Sequence, residues 1–326
     1  MKKYFNLKIY VKFLIIKFFS LISPIINIWE KKYYDLYRNQ KLKHQPIFVI
    51  GAPRTGSTIF YQTLTNQLDV LYINNLICLF NKNLFFGFWL SQKLFNQNAH
   101  DCFESDLGST SSLHSPSECG EFWYRWLPKF KHTIEKGECS KETIKQIRDE
   151  ISAVINFYDK PLVIGNNNAG LRIGFLKEVF PDAKYIVIDR NPLFVAQSLL
   201  LARKKVHGNF TQWWGLMPKN YNLLKKKSFI SQVVSQHYFT NKQIYQDLKC
   251  DKPKTNWIVV NYSEFSGKKE IIIEKIKDFI NFNKKRNFFK KNNVVESKEI
   301  KIEQELIRQI KIEIDEKNWN DYSSET

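Results

Sequence analysis

Four short apolar runs recur along the chain: Ile47–Ile50 (IFVI), Leu162–Gly165 (LVIG), Tyr185–Asp189 (YIVID) and Trp257–Val260 (WIVV). Each is hydrophobic along most of its length, as a strand covered on both faces must be, and lacks the alternation of a half-exposed one. Between them lie stretches with helical spacing of apolar residues, notably Thr58–Leu68, Leu171–Phe180, Leu193–Arg203 and Ser231–Leu248. Strands that alternate with helices pair in parallel, because the crossover helix carries the chain back to the same end of the sheet. An α/β, three-layer sandwich around a central parallel sheet is therefore expected. No Pro/Gly/Ser-rich linker divides the 326 residues, which favours a single domain.

Ligands on such sheets bind beyond the carboxyl ends of the strands. At that end of the first run the sequence reads GAPRTGST, Gly51 to Thr58, and a helical pattern follows. A glycine-containing loop that feeds a helix N-terminus offers unpaired N–H groups and the positive end of a dipole, which suits an anion. Pro53, Arg54, Thr55, Gly56, Ser57 and Thr58 are the candidate binding residues. The loop is of P-loop type, but Ser57 stands where a nucleotide triphosphatase has its lysine. Arg54 is the nearby cation, an arrangement suited to an anion of lower charge density than a transferring phosphoryl group, handled without metal. A sulfonate is such an anion. A second anion site is read at YIVIDRNPLFVAQS: Arg190 lies just past the strand, Pro192 opens a helix, and Ser198 is placed to reach back toward Arg190. Two anion sites on neighbouring strand ends imply a nucleoside with phosphates at both ends.

In order and spacing, APRTGST, FPDAKYIVIDRNPLFVAQS and VVNYSEF resemble the three motifs of the sulfotransferases that use 3′-phosphoadenosine 5′-phosphosulfate (PAPS). The likeness is to the bacterial and Golgi-type branch, whose loop carries P-R-[ST]-G-[ST]-T. The resemblance implies PAPS as sulfonate donor, held at its 5′ end by the loop and at its 3′-phosphate by Arg190 and Ser198. It also implies an acceptor hydroxyl or amine, on a carbohydrate, a lipid-linked sugar or a peptide. Relatives often carry L-K-N-P at the second strand end, where this chain has IGNNNAG (164–170). Many bacterial members have an S-P-x-E-D-E segment. HSPSECGEFW (His114–Trp123) looks like a version of it, with Glu118 the first candidate for the catalytic base and Glu121 and His114 the reserves. The implied organisation is a basic amphipathic segment over 1–45, a sulfotransferase domain over 46–285 with an irregular acceptor-binding insertion at 78–160, and a polar C-terminal tail over 286–326. A helix is expected in that tail over Glu299–Glu316.

The formal net charge of +18 calls for an anionic partner. Two other classes stay open on these residues. A degenerate P-loop kinase or NTPase would use Asp189 on Mg²⁺. A non-catalytic polyanion binder would show steep salt dependence without nucleotide preference. No specific nucleic-acid contact is expected. Five scattered cysteines with neither C-x-x-C nor histidine spacing predict no metal site and a reducing, cytoplasmic setting. The apolar N-terminal stretch is broken by Lys12, Lys17 and Pro24, so it reads as a helix lying on a membrane or docked on the domain rather than spanning a bilayer. Trp123, Trp126, Trp213 and Trp214 read as core, and Arg203, Lys204 and Lys205 as a solvated helix end.

Overall fold

The computed structural model describes residues 7–96, 98–250, 256–286, 289–290 and 292–319, with the side chains of 7–13 and 16 excepted. The first six residues, Lys12's side chain and parts of the expected C-terminal tail lie outside that set. Helix α1 (Leu7–Tyr37) precedes strand β1 (Ile47–Gly51), helix α2 (Ser57–Gln67) and the two-residue strand β2 (Leu71–Tyr72). Then come α3 (Asn75–Leu79), α4 (Leu84–Phe95), the small hairpin β3 (Ser105–Asp106) and β4 (Ser109–Thr110), α5 (Gly120–Trp123) and α6 (Lys141–Tyr158). The second half holds β5 (Leu162–Gly165), a 3-10 turn over Asn167–Leu171, α7 (Ile173–Val179), β6 (Lys184–Asp189), α8 (Pro192–His207), α9 (Tyr221–Leu224) and α10 (Phe229–Lys249). The chain continues through β7 (Trp257–Asn261), α11 (Tyr262–Gly267), α12 (Lys269–Ile280) and α13 (Gln304–Asp315).

Five strands form one parallel sheet in the order β2-β5-β1-β6-β7. All four strands expected from sequence are present; β2 is too short to leave a periodic signal. Strand β1 explains the three layers. Phe48 and Ile50 face a core built with α6, α7 and α10, while Ile47 and Val49 face one built with α2, α11 and α12. Period-two alternation sends successive apolar residues to opposite faces, so an unbroken apolar run must be covered twice. The 78–160 stretch is less irregular than its sequence suggested. Its last part is the 18-residue helix α6, capped by Ser140 and burying Ile147, Ile151, Val154 and Ile155, a spacing of 4, 3 and 1 that makes one helical face.

Helix α13 starts at Gln304, later than the expected Glu299. Residues before it run along α8 instead: Gln197 Nε2 donates to the Glu299 carbonyl at 2.9 Å, and the Lys301 N–H donates to Gln197 Oε1 at 2.9 Å. The expectation for Arg203 fails. It is fully buried, with Nη1 donating to Gln232 Oε1 (2.9 Å) and the Phe210 carbonyl (3.2 Å), because α8 is packed between α10 and α13 rather than ending in solvent. No helix among the described residues is long and apolar enough to cross a membrane.

Candidate functional site

The site is built where β1 ends. A Cβ on Gly51 would stand 2.6 Å from the Ile188 carbonyl of β6, so only glycine lets the two paired strands lie this close. The chain then turns through Arg54 (φ 72°) and Gly56 (φ 96°) into α2. Thr55 Oγ1, buried, donates to the Ala52 carbonyl at 2.9 Å and pins the turn. The Tyr262 ring closes over Gly56 so tightly that a Cβ there would lie 2.3 Å from it. The same ring carries the Arg190 guanidinium 4.7 Å from its centroid. The loop, the end of β6 and the start of α11 are thus locked together.

One side of the loop opens on a basic cavity of about 370 Å³, lined among others by Arg54, Arg190, Gln197, Ser198, Lys205 and Lys301. Ser198 was expected to reach Arg190. It accepts instead from Arg54 Nε at 2.9 Å, because the left-handed φ at Arg54 turns that side chain out of the loop and toward α8. Arg190 Nε is buried without a hydrogen-bond partner; the nearest carboxylate is Glu296, 3.5 Å away. Burial first, and then the facing Arg190, pull Arg54 below its usual pKa. Two guanidiniums held this close in a cleft signal an anion-binding site. Lys205 reaches the same cavity while paired with Asp106, and Pro53 packs against Gly215 on the outer side of the loop.

The other side of the loop is a narrow pocket lined by Ser57, Thr58, Gly108, Glu118, Asn166 and Asn167. Ser57 Oγ donates to Asn167 Oδ1 at 3.0 Å, and Asn167 Nδ2 donates to Glu118 Oε1 at 3.3 Å. Asn166 Nδ2 donates to the Glu118 carbonyl at 2.9 Å. Burial raises the Glu118 carboxyl from 4.5 to about 7, against a smaller downward pull from the Asn167 backbone. A carboxyl poised near neutrality beside a helix N-terminus can accept a proton at physiological pH.

The other two base candidates go elsewhere. Glu121 Oε2 accepts from Cys78 Sγ at 3.4 Å. His114 stacks on Phe95 (centroids 4.1 Å) beside Tyr72 and Arg286 in a separate cavity, where burial, with Arg286 adding to it, lowers its pKa to about 4. Only Glu118 of the three lines the loop pocket. Cys78, Cys119 and Glu121 also come together, with ligand atoms within 4.8 Å of one another, a proximity that sequence spacing does not reveal. Asn167 is the loop-pocket residue that sequence reasoning passed over; its signal was the Asn166–Asn168 triplet standing where relatives carry L-K-N-P.

Asp189 holds the base of β6 in place. Its Oδ1 accepts from the Arg190 N–H at 2.9 Å and from Asn241 Nδ2 at 3.1 Å. A parallel sheet, a glycine-turned anion loop at its central strand and a two-arginine cleft beside it define an α/β group-transfer fold of P-loop type. The chain belongs to the sulfotransferase family, whose sequence profile matches residues 46–285. The omega-hydroxy-beta-dihydromenaquinone-9 sulfotransferases Stf3 of Mycobacterium bovis and Mycobacterium tuberculosis are each 24% identical to it over 215 residues, 59% of this chain and 54% of theirs. The chain thus matches only about half the length of these curated relatives. Sulfotransferase STF9 from Mycobacterium avium shares the fold, with a TM-score of 0.50 at 13% identity, covering 79% of this chain and 68% of that one.

Proposed function

We propose that this chain transfers the sulfonate group of PAPS to a hydroxyl or amine of an acceptor, a carbohydrate, glycolipid or peptide, without a metal. The observation that carries the reading is the placement of a basic cleft and a near-neutral carboxyl on opposite sides of one loop. The cleft fits the donor's anionic ends. Arg190 Nε, buried without a hydrogen bond and facing the Glu296 carboxylate at 3.5 Å, is matched to a 3′-phosphate, and Ser198 and Lys205 line the same cavity. The loop N–H groups from Gly56 to Thr58 are matched to the 5′-phosphosulfate, the Thr55 N–H being engaged by the Ala52 carbonyl, with Arg54 between the two ends.

Bound PAPS supplies an activated sulfonate whose leaving group is a phosphate. Glu118 accepts the acceptor's proton as its oxygen or nitrogen bonds to sulfur and the sulfur–oxygen bond to the 5′-phosphate breaks. Asn167 holds the carboxylate and is itself held by the Ser57 hydroxyl, so Glu118 stays aimed at the loop. Arg54 and the loop N–H groups neutralise charge that grows on the departing phosphate oxygen, where such donors act most strongly. Residues 78–160 supply the acceptor side through Glu118 and the β3–β4 hairpin. A kinase reading is less well served, since Asp189 Oδ1 is already engaged by Arg190 and Asn241.

The test is nucleotide stabilisation in metal-free buffer. Adenosine 3′,5′-bisphosphate should raise the melting temperature, by about 2.7 kcal/mol of stability at a hundredfold excess over Kd, and AMP far less. Equal shifts from both, or a shift from ATP that needs Mg²⁺, would overturn the assignment.

A further inference from the structure

Helix α1 has two apolar faces, and among the described residues only one is packed. Phe19, Ile22 and Ile26 pack against Leu76 and Phe80, with Phe19 and Phe80 centroids 4.5 Å apart. Trp29 meets Phe86, whose N–H donates to Glu30 Oε2 at 3.0 Å, and Tyr33 and Tyr37 continue onto Phe157. These contacts clamp the helix to α3, α4 and α6. At about 100° per residue, the docked residues share one sector of the helix roughly 80° wide. Leu14, Phe18, Leu21, Ile25 and Ile28 share an adjacent sector of similar width and are 46%, 60%, 72%, 70% and 79% exposed. Their 4-3-4-3 spacing makes an aligned stripe about 21 Å long, passing Pro24 on the helix. Lys17, exposed, falls on its outer edge, and Lys31, also exposed, lies about 60° beyond that edge on the same side.

We infer that this stripe lies on an anionic membrane surface, holding the enzyme to the bilayer interface without crossing it. Charge complementarity selects the occupant. Residues 1–45 carry ten Lys or Arg and two Asp or Glu, a balance that anionic headgroups neutralise. A second copy packed antiparallel on the stripe would set Lys17 and Lys31 against the same lysines. In the interface, their stems lie along the apolar side while the ammonium groups reach the headgroups. A scatter of single exposed apolar residues is ordinary on protein surfaces; five aligned on one helix sector are not. The inference goes beyond the transfer reaction and does not rest on it.

The experiment is co-sedimentation of the full chain with vesicles of phosphatidylcholine alone and of phosphatidylcholine with a third phosphatidylglycerol. The anionic vesicles should bind the protein, the neutral ones much less, and added salt should weaken the binding. The double variant Leu21→Glu/Ile25→Glu should bind at least tenfold more weakly with an unchanged melting temperature. Ile271→Glu, the same charge placed on an exposed residue of α12, should bind like the parent. Failure to bind anionic vesicles, or equal binding by the double variant, overturns the inference. So does a dimer in gel filtration that the double variant converts to monomer without any vesicle binding.

Discussion

Replacing Glu118 with glutamine tests the proposed chemistry at its centre. Glutamine keeps the shape and can still pair with Asn167, but it cannot take a proton. The acceptor then attacks with its proton retained, and losing a general base of this kind costs about 10²- to 10⁴-fold in turnover. The pKa of about 7 adds a second readout. In the parent enzyme turnover should rise with pH and level off above about 7, as Glu118 loses its proton; in Glu118→Gln that rise should vanish. Stability gives a third. The folded carboxyl holds its proton where the unfolded one, near 4.5, has lost it, so stability falls as pH climbs from 4.5 through 7. A shift of this size corresponds to at most about 3 kcal/mol. Glu118→Gln should therefore be the more stable protein above pH 7, with the advantage gone below pH 4.5. The assay is release of adenosine 3′,5′-bisphosphate in the presence of a glycan, lipid and peptide extract, with mass spectrometry of the sulfated product and a denaturant titration at each pH. Near-parental turnover in Glu118→Gln, or an unchanged pH profile, would refute the assignment.

Four further outcomes follow from the geometry. Arg190→Ala should weaken adenosine 3′,5′-bisphosphate about 10- to 100-fold in calorimetry, the range of a charged hydrogen bond. Arg54→Ala should lower both affinity and turnover, and the two effects on affinity should not add, because both arginines face one cavity. Gly56→Ala should destabilise by about 1–3 kcal/mol from its left-handed φ alone, and more from the clash with Tyr262; adding Tyr262→Ala should recover part of the melting temperature and leave the rest lost. Glu296→Gln should tighten adenosine 3′,5′-bisphosphate severalfold in calorimetry, since the nearly buried Glu296 carboxylate stands 3.5 Å from Arg190 and would repel the incoming phosphate; unchanged affinity would remove Glu296 from the account of that site.

What the sequence determined by itself was whatever local periodicity and local motif encode. Four buried strands follow from unbroken apolar runs, the crossover helices from their 3.6-residue spacing, and the loop from the Gly51–Thr58 motif. The strand end at Arg190 followed from the Asn191–Pro192 helix start: the Asn191 side chain caps α8 and Pro192 sits in its first turn. Tertiary structure decided which of these side chains meet. Three acidic or basic candidates lay within eight residues of one another, yet the left-handed turn at Cys119 (φ 41°) lies between Glu118, in the loop pocket, and Glu121, beside Cys78. His114, in a turn, stacks on Phe95 of helix α4. Arg54 meets Ser198 across 144 positions of sequence, and Asn167 joins Ser57 to Glu118 because β5 is the immediate neighbour of β1 in the sheet. Strand order and the packing of distant helices set such contacts. No window of sequence short enough to show a period contains both partners, so the elements could be read in advance and their meetings could not.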